Sequence, residues 1–412
     1  MNSASLQTQT VSKITEQGLK MKKLLKSLIG TLVLGLGLAS PGFTQEPVKI
    51  GMVTTLSTGG GYLGQDVRDG FLLAVEEEDG KLGGIPVEVL VEDDGRNPVN
   101  GRQIVKRFLE RDRISILTGV IFSNISPVVA PMALKKRIFY ISPNSAPSTF
   151  AGKECDENYF VASWQNDTLH EAAGMGATEL GYKKALLLAP NYQAGKDALA
   201  GFKRFFKGEV IEEIYVKLGQ NDYAAEIARI RAAKPEMVFQ FLPGGMGINF
   251  LKQYSQAGLM KDSAMVVSGF SADIKILNAI GDAGSGIIST SQWNHDLDNA
   301  ANQQFLSGFR IKFEREPTLY ASQGYDTAKL IASALKTTGG KVLEDKASFR
   351  KALKAAKFAS VRGNFRFASN QHPIHDLYIR EVVKENGKMQ NRILRKVATD
   401  HQDAYVQECG LR

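Results

Sequence analysis

Cysteine is nearly absent from this 412-residue chain, which carries only Cys155 and Cys409. In an oxidising compartment the two would pair and pin the C-terminal tail to the middle of the chain; otherwise they are two buried thiols. Histidine is also scarce, with five in all. The only close pair, His372 and His375, flanks Pro373, which disfavours a continuous metal-binding helix, so both read as surface or turn residues. There is no G-x-S-x-G nucleophile elbow and no G-x-x-x-x-G-K-[ST] phosphate loop. Nothing in the chain announces catalysis, and the expectation is a protein that is not an enzyme and needs no metal or cofactor.

A strong charge of one sign is lacking as well. The formal net charge is +8, and half of it sits in the first 44 residues, where Lys13, Lys20, Lys22, Lys23 and Lys26 face only Glu16. The modest excess left over is ordinary surface solvation and gives no support to nucleic-acid binding. A membrane span is missing too. The apolar run Leu28–Ala39 falls short of the roughly 20 residues a span requires. It follows the basic Met21-Lys22-Lys23-Leu24-Leu25-Lys26 and precedes Ser40-Pro41-Gly42-Phe43-Thr44-Gln45, which is the layout of a secretory signal peptide. Residues 1–20 are polar, without an apolar period, and read as an extension ahead of a true start at Met21. Residues 1–44 are then a leader cleaved near Thr44, or alternatively at Ala39. The mature chain begins near Gln45, and neither cysteine is placed to carry an N-terminal lipid.

What remains is long for one domain and comfortable for two. Val48–Val53 reads as a buried first strand. Arg68–Asp79 reads as an amphipathic helix and Val87–Val91 as a second strand, which makes a βαβ unit. A helix at Gln103–Arg111 follows. Strands at Ile114–Val120 and Ile138–Ile141 flank an apolar, helix-compatible Val128–Leu134. From Cys155 a short piece rich in aromatic and polar residues, Tyr159 to Asp167, reads as a crossover into a second lobe. There β and α segments alternate again: helices at His170–Leu180, Lys196–Phe206, Ala224–Ala233 and Ile248–Ala257, and strands at Ala185–Leu188, Val210–Lys217, Met237–Leu242, Ala264–Val267 and Ile287–Thr290. Helices at Phe305–Glu314, Tyr325–Lys336 and Lys346–Ala356 precede a hairpin turning at Asn386-Gly387. The expected fold class is α/β, with two doubly wound, Rossmann-like lobes.

The stretch from Thr118 to Pro147 organises the site. Its two strands end at Phe122-Ser123-Asn124 and at Ser142-Pro143-Asn144-Ser145, and Ser126-Pro127 opens a helix between them. Hydroxyls and exposed N–H groups there suit a carboxylate, although Ser, Asn and Pro also end strands and start helices without any ligand. Aromatic residues fall at further strand ends: Tyr62, Phe122, Trp164, Tyr192, Phe270, Trp293 and Tyr320. Each alone is better explained by core packing, but their shared position suggests a cleft. Gly59-Gly60-Gly61-Tyr62-Leu63-Gly64 satisfies G-x-G-x-x-G. These glycines follow a polar linker rather than the strand itself, and the acids at Glu92–Asp94 come late for a ribose, so a dinucleotide is not the expected ligand.

The segments VKIGMVTTLSTGGGYLGQDVRDG, TGVIFSNISPVVAPM with YISPNSAPS, NYQAGKDALAGFK and PTLYASQGYDTAKLI resemble the type I periplasmic binding proteins of ABC importers, in the branched-chain amino-acid (Leu/Ile/Val) group. The resemblance covers nearly all of the mature chain. It implies two lobes joined by a three-crossover hinge, residues 48–163 with 298–370 and residues 164–297 with 371–412, closing on a solute. It implies a soluble periplasmic monomer that hands a small-molecule carboxylate or amino acid to a membrane permease. By position, Ser123 matches the serine that holds the ligand carboxylate. Ala146 stands where the amino-acid binders place a threonine, with Asn144 and Ser145 adjacent. Tyr192 matches the aromatic that closes over the ligand. The acid that receives an ammonium should stand near Ser268-Gly269-Phe270, and none does; Asp167 or Asp273 would have to serve. The expected ligand is therefore an aromatic acid, similar to those of the family's aromatic-acid binders, with Trp164, Tyr192 and Phe270 supplying ring faces. The expected ligand set is Ser123, Asn124, Asn144, Ser145, Tyr62, Trp164, Tyr192 and Phe270. An amino-acid binder and a periplasmic sensory subunit are the alternatives.

Overall fold

The computed structural model describes residues 45–411; the expected leader at residues 1–44 lies outside them. Two largely parallel sheets form two lobes; one hydrophobic core runs from the first lobe into the second, and another lies within the second lobe alone. The first sheet has the order β2-β3-β1-β4-β5-β6, from strands Val48–Thr54 (β1), Lys81–Leu82 (β2), Ile85–Asp93 (β3), Ile116–Thr118 (β4), Phe139–Ser142 (β5) and Tyr159–Val161 (β6). The second has the order β12-β13-β11-β10-β9-β7-β8 with β14 on β13. Its strands are Lys184–Pro190 (β7), Glu209–Val216 (β8), Met237–Gln240 (β9), Ala264–Ser268 (β10), Ile288–Ser291 (β11), Arg366–Phe367 (β12), Pro373–Glu385 (β13) and Lys388–His401 (β14). Strands β1, β3, β4, β5 and β6 pair in parallel, as do β7 to β11; β13 and β14 add an antiparallel edge.

Strands covered on both faces should read as apolar runs, and Ile50, Met52 and Val53, like Leu186, Leu187 and Leu188, are fully buried. The covering helices are Gly61–Glu76 (α1), Pro98–Arg107 (α2), Ser126–Lys135 (α3), a short Ser148–Ala151 (α4), Thr168–Glu179 (α5), Gln193–Phe205 (α6), Ala224–Ala233 (α7), Gly245–Gln256 (α8), Ile274–Ile280 (α9), Ala300–Phe313 (α10), Leu319–Thr338 (α11) and Lys346–Ala355 (α12). The last three return to the first lobe, where α10 and α11 pack on α1, and Phe349 of α12 meets Phe139 of β5 edge-on at 4.8 Å.

The structure departs from the sequence reading at three places. Helix α1 begins seven residues before Arg68, at Gly61. Glycine counts against a helix by propensity, but here it permits close packing: a Cβ on Gly64 would lie 2.0 Å from the Thr55 carbonyl oxygen. Helix α9 was not foreseen, although Asp273 caps it by accepting from the N–H groups of Lys275 at 2.8 Å and Ile276 at 3.1 Å. His372 and His375 are not surface residues: both are buried, and His372 Nδ1 lies 2.9 Å from the Asn370 carbonyl oxygen. The Asn386-Gly387 turn forms as expected, with φ of 51° and 76°.

Candidate functional site

In each lobe the strand order places a topological switch point between two neighbouring strands, β1 and β4 in the first and β7 and β9 in the second. Open α/β sheets receive ligands beyond the strand C-termini at such points. The two switch points face one another across a small cavity. Ile121, Phe122 and Ser123 follow β4 into it, Tyr192 follows β7, and Phe241 and Pro243 follow β9. Asn144 arrives from the loop after β5 and Phe270 from the turn after β10, while Trp164 and Asn166 come from the first crossover. Leu63, Ala194 and Tyr320 belong to the first turns of α1, α6 and α11.

The cavity has an aromatic wall and a polar corner. The wall stacks Trp164 on Phe270 at 4.2 Å between ring centroids, with Tyr320 at 5.6 Å and Phe241 at 6.2 Å from Phe270. Tyr192 lies nearly parallel to Phe241, 6.5 Å away. Behind the wall, burial pushes the pKa of His170 down to about 3, so its ring stays neutral between Phe241 and Trp164. The corner is a line of hydroxyls and amides. Ser123 Oγ lies 2.8 Å from Ser145 Oγ, which in turn meets Ser126 Oγ. Asn166 Nδ2 donates to Ser123 Oγ at 3.1 Å, and Asn144 Nδ2 donates to the Ile121 carbonyl at 2.8 Å. Two polar atoms facing this space have no protein partner although buried: Asn144 Oδ1 and Trp164 Nε1.

Of the residues expected from sequence, Ser123, Asn144, Trp164, Tyr192 and Phe270 line the cavity, and Asn124, Ser145 and Tyr62 do not. Ser145 stands one hydrogen bond behind, supporting Ser123. Tyr62 is at the cleft mouth, where its hydroxyl donates to Asp273 Oδ2 of the second lobe at 2.7 Å. Trp293, an equally plausible ring by sequence, is in the core with Nε1 donating to Asn302 Oδ1 at 2.8 Å. Phe241 and Asn166 were not singled out in advance. Asn166 had a visible signal, standing two residues after Trp164 in the polar crossover, whereas Phe241 looked like strand interior.

No carboxylate lines the cavity. The two acids that could have replaced the absent one are committed elsewhere. Asp273 caps α9 and receives Tyr62, and burial raises its pKa to about 6. Asp167 accepts from Gln165 at 3.0 Å, Tyr405 at 2.7 Å and Arg204 at 3.1 Å; burial, together with neighbouring Asp197, raises its pKa.

Contacts from lobe to lobe close the mouth. Gly245 N–H donates to the Gly59 carbonyl at 3.2 Å, and Lys275 Nζ reaches Asp66 at 3.4 Å. A Cβ on Gly245 would come within 3.0 Å of that carbonyl oxygen, so the glycine keeps this approach open. The glycine-rich loop is thus half of a cleft latch in this structure. Deeper in, Asp197 Oδ1 of α6 accepts from Ser148 Oγ of the first lobe at 2.8 Å.

Two doubly wound lobes shut over one small aromatic chamber define a two-lobed solute trap. A family model described as periplasmic binding protein matches residues 47–388, and the chain belongs to that family. It is 26% identical over 382 residues to Leu/Ile/Val-binding protein homolog 6 of Brucella melitensis, covering 89% of this chain and 96% of the relative. Its fold matches a solute-binding protein of an ABC transporter from R. palustris in complex with benzoate, with a TM-score of 0.83 at 30% identity over 89% of this chain and 100% of the other. It also matches one from Rhodopseudomonas palustris BisB5 in complex with 3,4-dihydroxybenzoic acid, with a TM-score of 0.80 at 28% identity over 87% and 99%. These relatives are solute-binding proteins rather than enzymes. Among the described residues no helix is long and apolar enough to cross a membrane.

Proposed function

We propose that the protein is the periplasmic solute-binding component of an ABC importer, and that it captures a single-ring aromatic carboxylate and presents it, lobes closed, to a membrane permease. The carrying observation is the pairing of an aromatic wall with a polar corner that holds no carboxylate. An amino acid's ammonium would be buried there unpaired, at a cost of several kcal/mol. The carboxylate end fits. Ser123 supplies a hydroxyl, and α1, α6 and α11 each bring first-turn residues to the cavity, so their positive ends favour an anion. The Arg96 guanidinium, 5.7 Å from the Phe122 ring centroid, adds a cation at the mouth. The benzoate and dihydroxybenzoate ligands of the structural neighbours support the same class.

Benzoate and its ring-hydroxylated forms are the first candidates, since the structural neighbours hold benzoate and 3,4-dihydroxybenzoic acid. Trp164 Nε1 as donor and Asn144 Oδ1 as acceptor give ring hydroxyls somewhere to bind. The test is a thermal-shift and calorimetry panel of benzoate, 4-hydroxybenzoate, 3,4-dihydroxybenzoate, cinnamate and leucine on the mature chain. A ligand at 100 times its Kd stabilises by about 2.7 kcal/mol. Benzoates are expected to shift the melt and leucine is not, with cinnamate reading how long an acid arm the site accepts; a shift with leucine alone overturns the reading in favour of an amino-acid binder.

A further inference from the structure

We propose that Asn166 is a specificity-determining positioning residue, whose locked amide makes Ser123 point its hydroxyl hydrogen into the cavity and so selects a carboxylate over a neutral amide. The proposal rests on reading the cavity as an aromatic-acid site.

The amide is fixed from both sides. Asn166 is buried in the first crossover, with 1% of its surface exposed. Its Oδ1 accepts from the Ala146 N–H at 3.1 Å, while its own N–H donates to the Ala146 carbonyl at 3.0 Å. That pairing turns the amide nitrogen the other way. Both Nδ2 hydrogens are then used, one on Ser123 Oγ at 3.1 Å and one on Asp197 Oδ2 at 2.9 Å. Asp197 accepts from donors only, namely Asn166, Gln193 and Ser148, so the far end of the amide cannot reverse without setting an oxygen against this carboxylate.

A serine hydroxyl has one hydrogen and two acceptor positions. Ser123 accepts from Asn166 on one of them. If Ser126 donates to Ser145 and Ser145 to Ser123, the second is filled, every hydroxyl in the line is used, and the Ser123 hydrogen has the cavity as its outlet. A carboxylate oxygen accepts it. The carbonyl oxygen of a neutral amide accepts it as well, but without the charge that strengthens the bond. Ala146 lacks a hydroxyl of its own, and its backbone instead holds the amide that orients Ser123.

The informative change is Asn166→Asp, which keeps the shape and reverses the chemistry. Ionised or sharing a proton with Asp197, an acid at this position has no hydrogen for Ser123 and accepts from it, which turns the hydroxyl away from the cavity. Benzoate and benzamide affinities are measured by calorimetry for the unaltered mature protein, for Asn166→Asp and for Asn166→Ala, the last covering the case in which the acid variant does not fold. The benzoate-to-benzamide affinity ratio is expected to fall at least about tenfold in Asn166→Asp, the scale of one charge-assisted hydrogen bond, and about threefold in Asn166→Ala. Equal weakening of both ligands, with the ratio unchanged in a folded variant, assigns Asn166 a merely structural role and overturns the proposal. Failure of the unaltered protein to bind benzoate or hydroxybenzoate overturns the cavity reading itself, and this proposal with it.

Discussion

At the mouth of the cleft the lobes meet through a few polar contacts between surfaces that can part: Tyr62 on Asp273, Lys275 on Asp66, and one backbone hydrogen bond between Gly245 and Gly59. At the hinge they are joined by the chain itself, and the crossings are tied to one another. Arg362, in the third crossover, donates Nε to Asp326 Oδ2 of α11 at 3.1 Å, and its two Nη groups bond the carbonyls of Ala162 and Ser163 in the first. Asp326 also accepts from Ser360 Oγ at 2.6 Å and Val361 N at 3.0 Å. The second crossover is held by Arg380 of β13, which reaches the Trp293 carbonyl at 3.3 Å and Asn294 Oδ1 at 3.0 Å. A fourth covalent link joins them. The tail leaves β14, seats the Tyr405 hydroxyl on Asp167 at 2.7 Å and ends in a Cys155–Cys409 disulfide, which returns it to the first lobe. The contrast teaches which bonds belong to stability and which to the ligand cycle. Buried, multiply satisfied contacts at the hinge should set the folding free energy, and sparse contacts at the mouth should set residence time.

The largest expected effect tests the hinge. Arg362→Ala leaves Asp326 buried, with 1% of its side chain exposed, and without its cation. Loss of one partner of a buried pair costs about 3–5 kcal/mol, to be read from denaturant unfolding. The comparison breaks if the variant unfolds within about 1 kcal/mol of the unaltered protein while ligand release accelerates, because Arg362 would then belong to the moving side. Next is the disulfide, which closes a span of 254 residues. Replacing both Cys155 and Cys409 with serine should cost about 2–4 kcal/mol, less than a pure loop-entropy argument gives for so long a span, because Tyr405 still holds the tail. Thermal melts with and without reductant measure it. Reductant should move the melt of the unaltered protein and leave that of the double variant where it is.

The same contrast explains what could be read in advance. The βα alternation was legible because each strand is covered on both faces and each helix on one, so local period and tertiary burial agree. Ser123 was legible because a switch point delivers whatever follows its strand. The hinge was not legible. Arg362 sits among ordinary loop residues and acquires its role from carbonyls some two hundred positions away, with sequence separations of 199 to Ser163 and 200 to Ala162. Trp164 and Trp293 looked alike, both rings beyond strand ends, and only the placement of Asn302 beside Trp293 separates a core residue from a cavity wall. Asp167 and Asp273 were nameable as acids near the site, but their commitment to Arg204 with Tyr405 and to Tyr62 exists only in the folded chain. Cys155 and Cys409 left both outcomes open, because sequence carries no distance between them.

The smallest effect is the most specific test of the mouth. Tyr62→Phe removes one hydroxyl that bridges the lobes and leaves the ring, which also faces Lys275 Nζ at 4.8 Å. Loss of a single part-buried hydrogen bond costs about 1 kcal/mol, or roughly a fivefold faster ligand release, with association nearly unchanged because the bond forms only on closing. The acceptor titrates, which gives the test a direction. Burial raises Asp273 to a pKa of about 6 in the closed protein, so its carboxylate is ionised above that pH and protonated below it. The Tyr62 hydrogen bond favours the ionised form and works against that rise. The stabilisation it gives is therefore complete only well above pH 6, where Asp273 is ionised with or without the bond, and is lost as the pH falls through about 6, where the neutral carboxyl is the weaker acceptor. Stopped-flow release rates at pH 5 and pH 7.5 should show the variant and the unaltered protein converging at the lower pH. An equal ratio at both would mean that the mouth is held by packing rather than by the Tyr62–Asp273 bond, and the distinction between mouth and hinge would have to be redrawn at that contact.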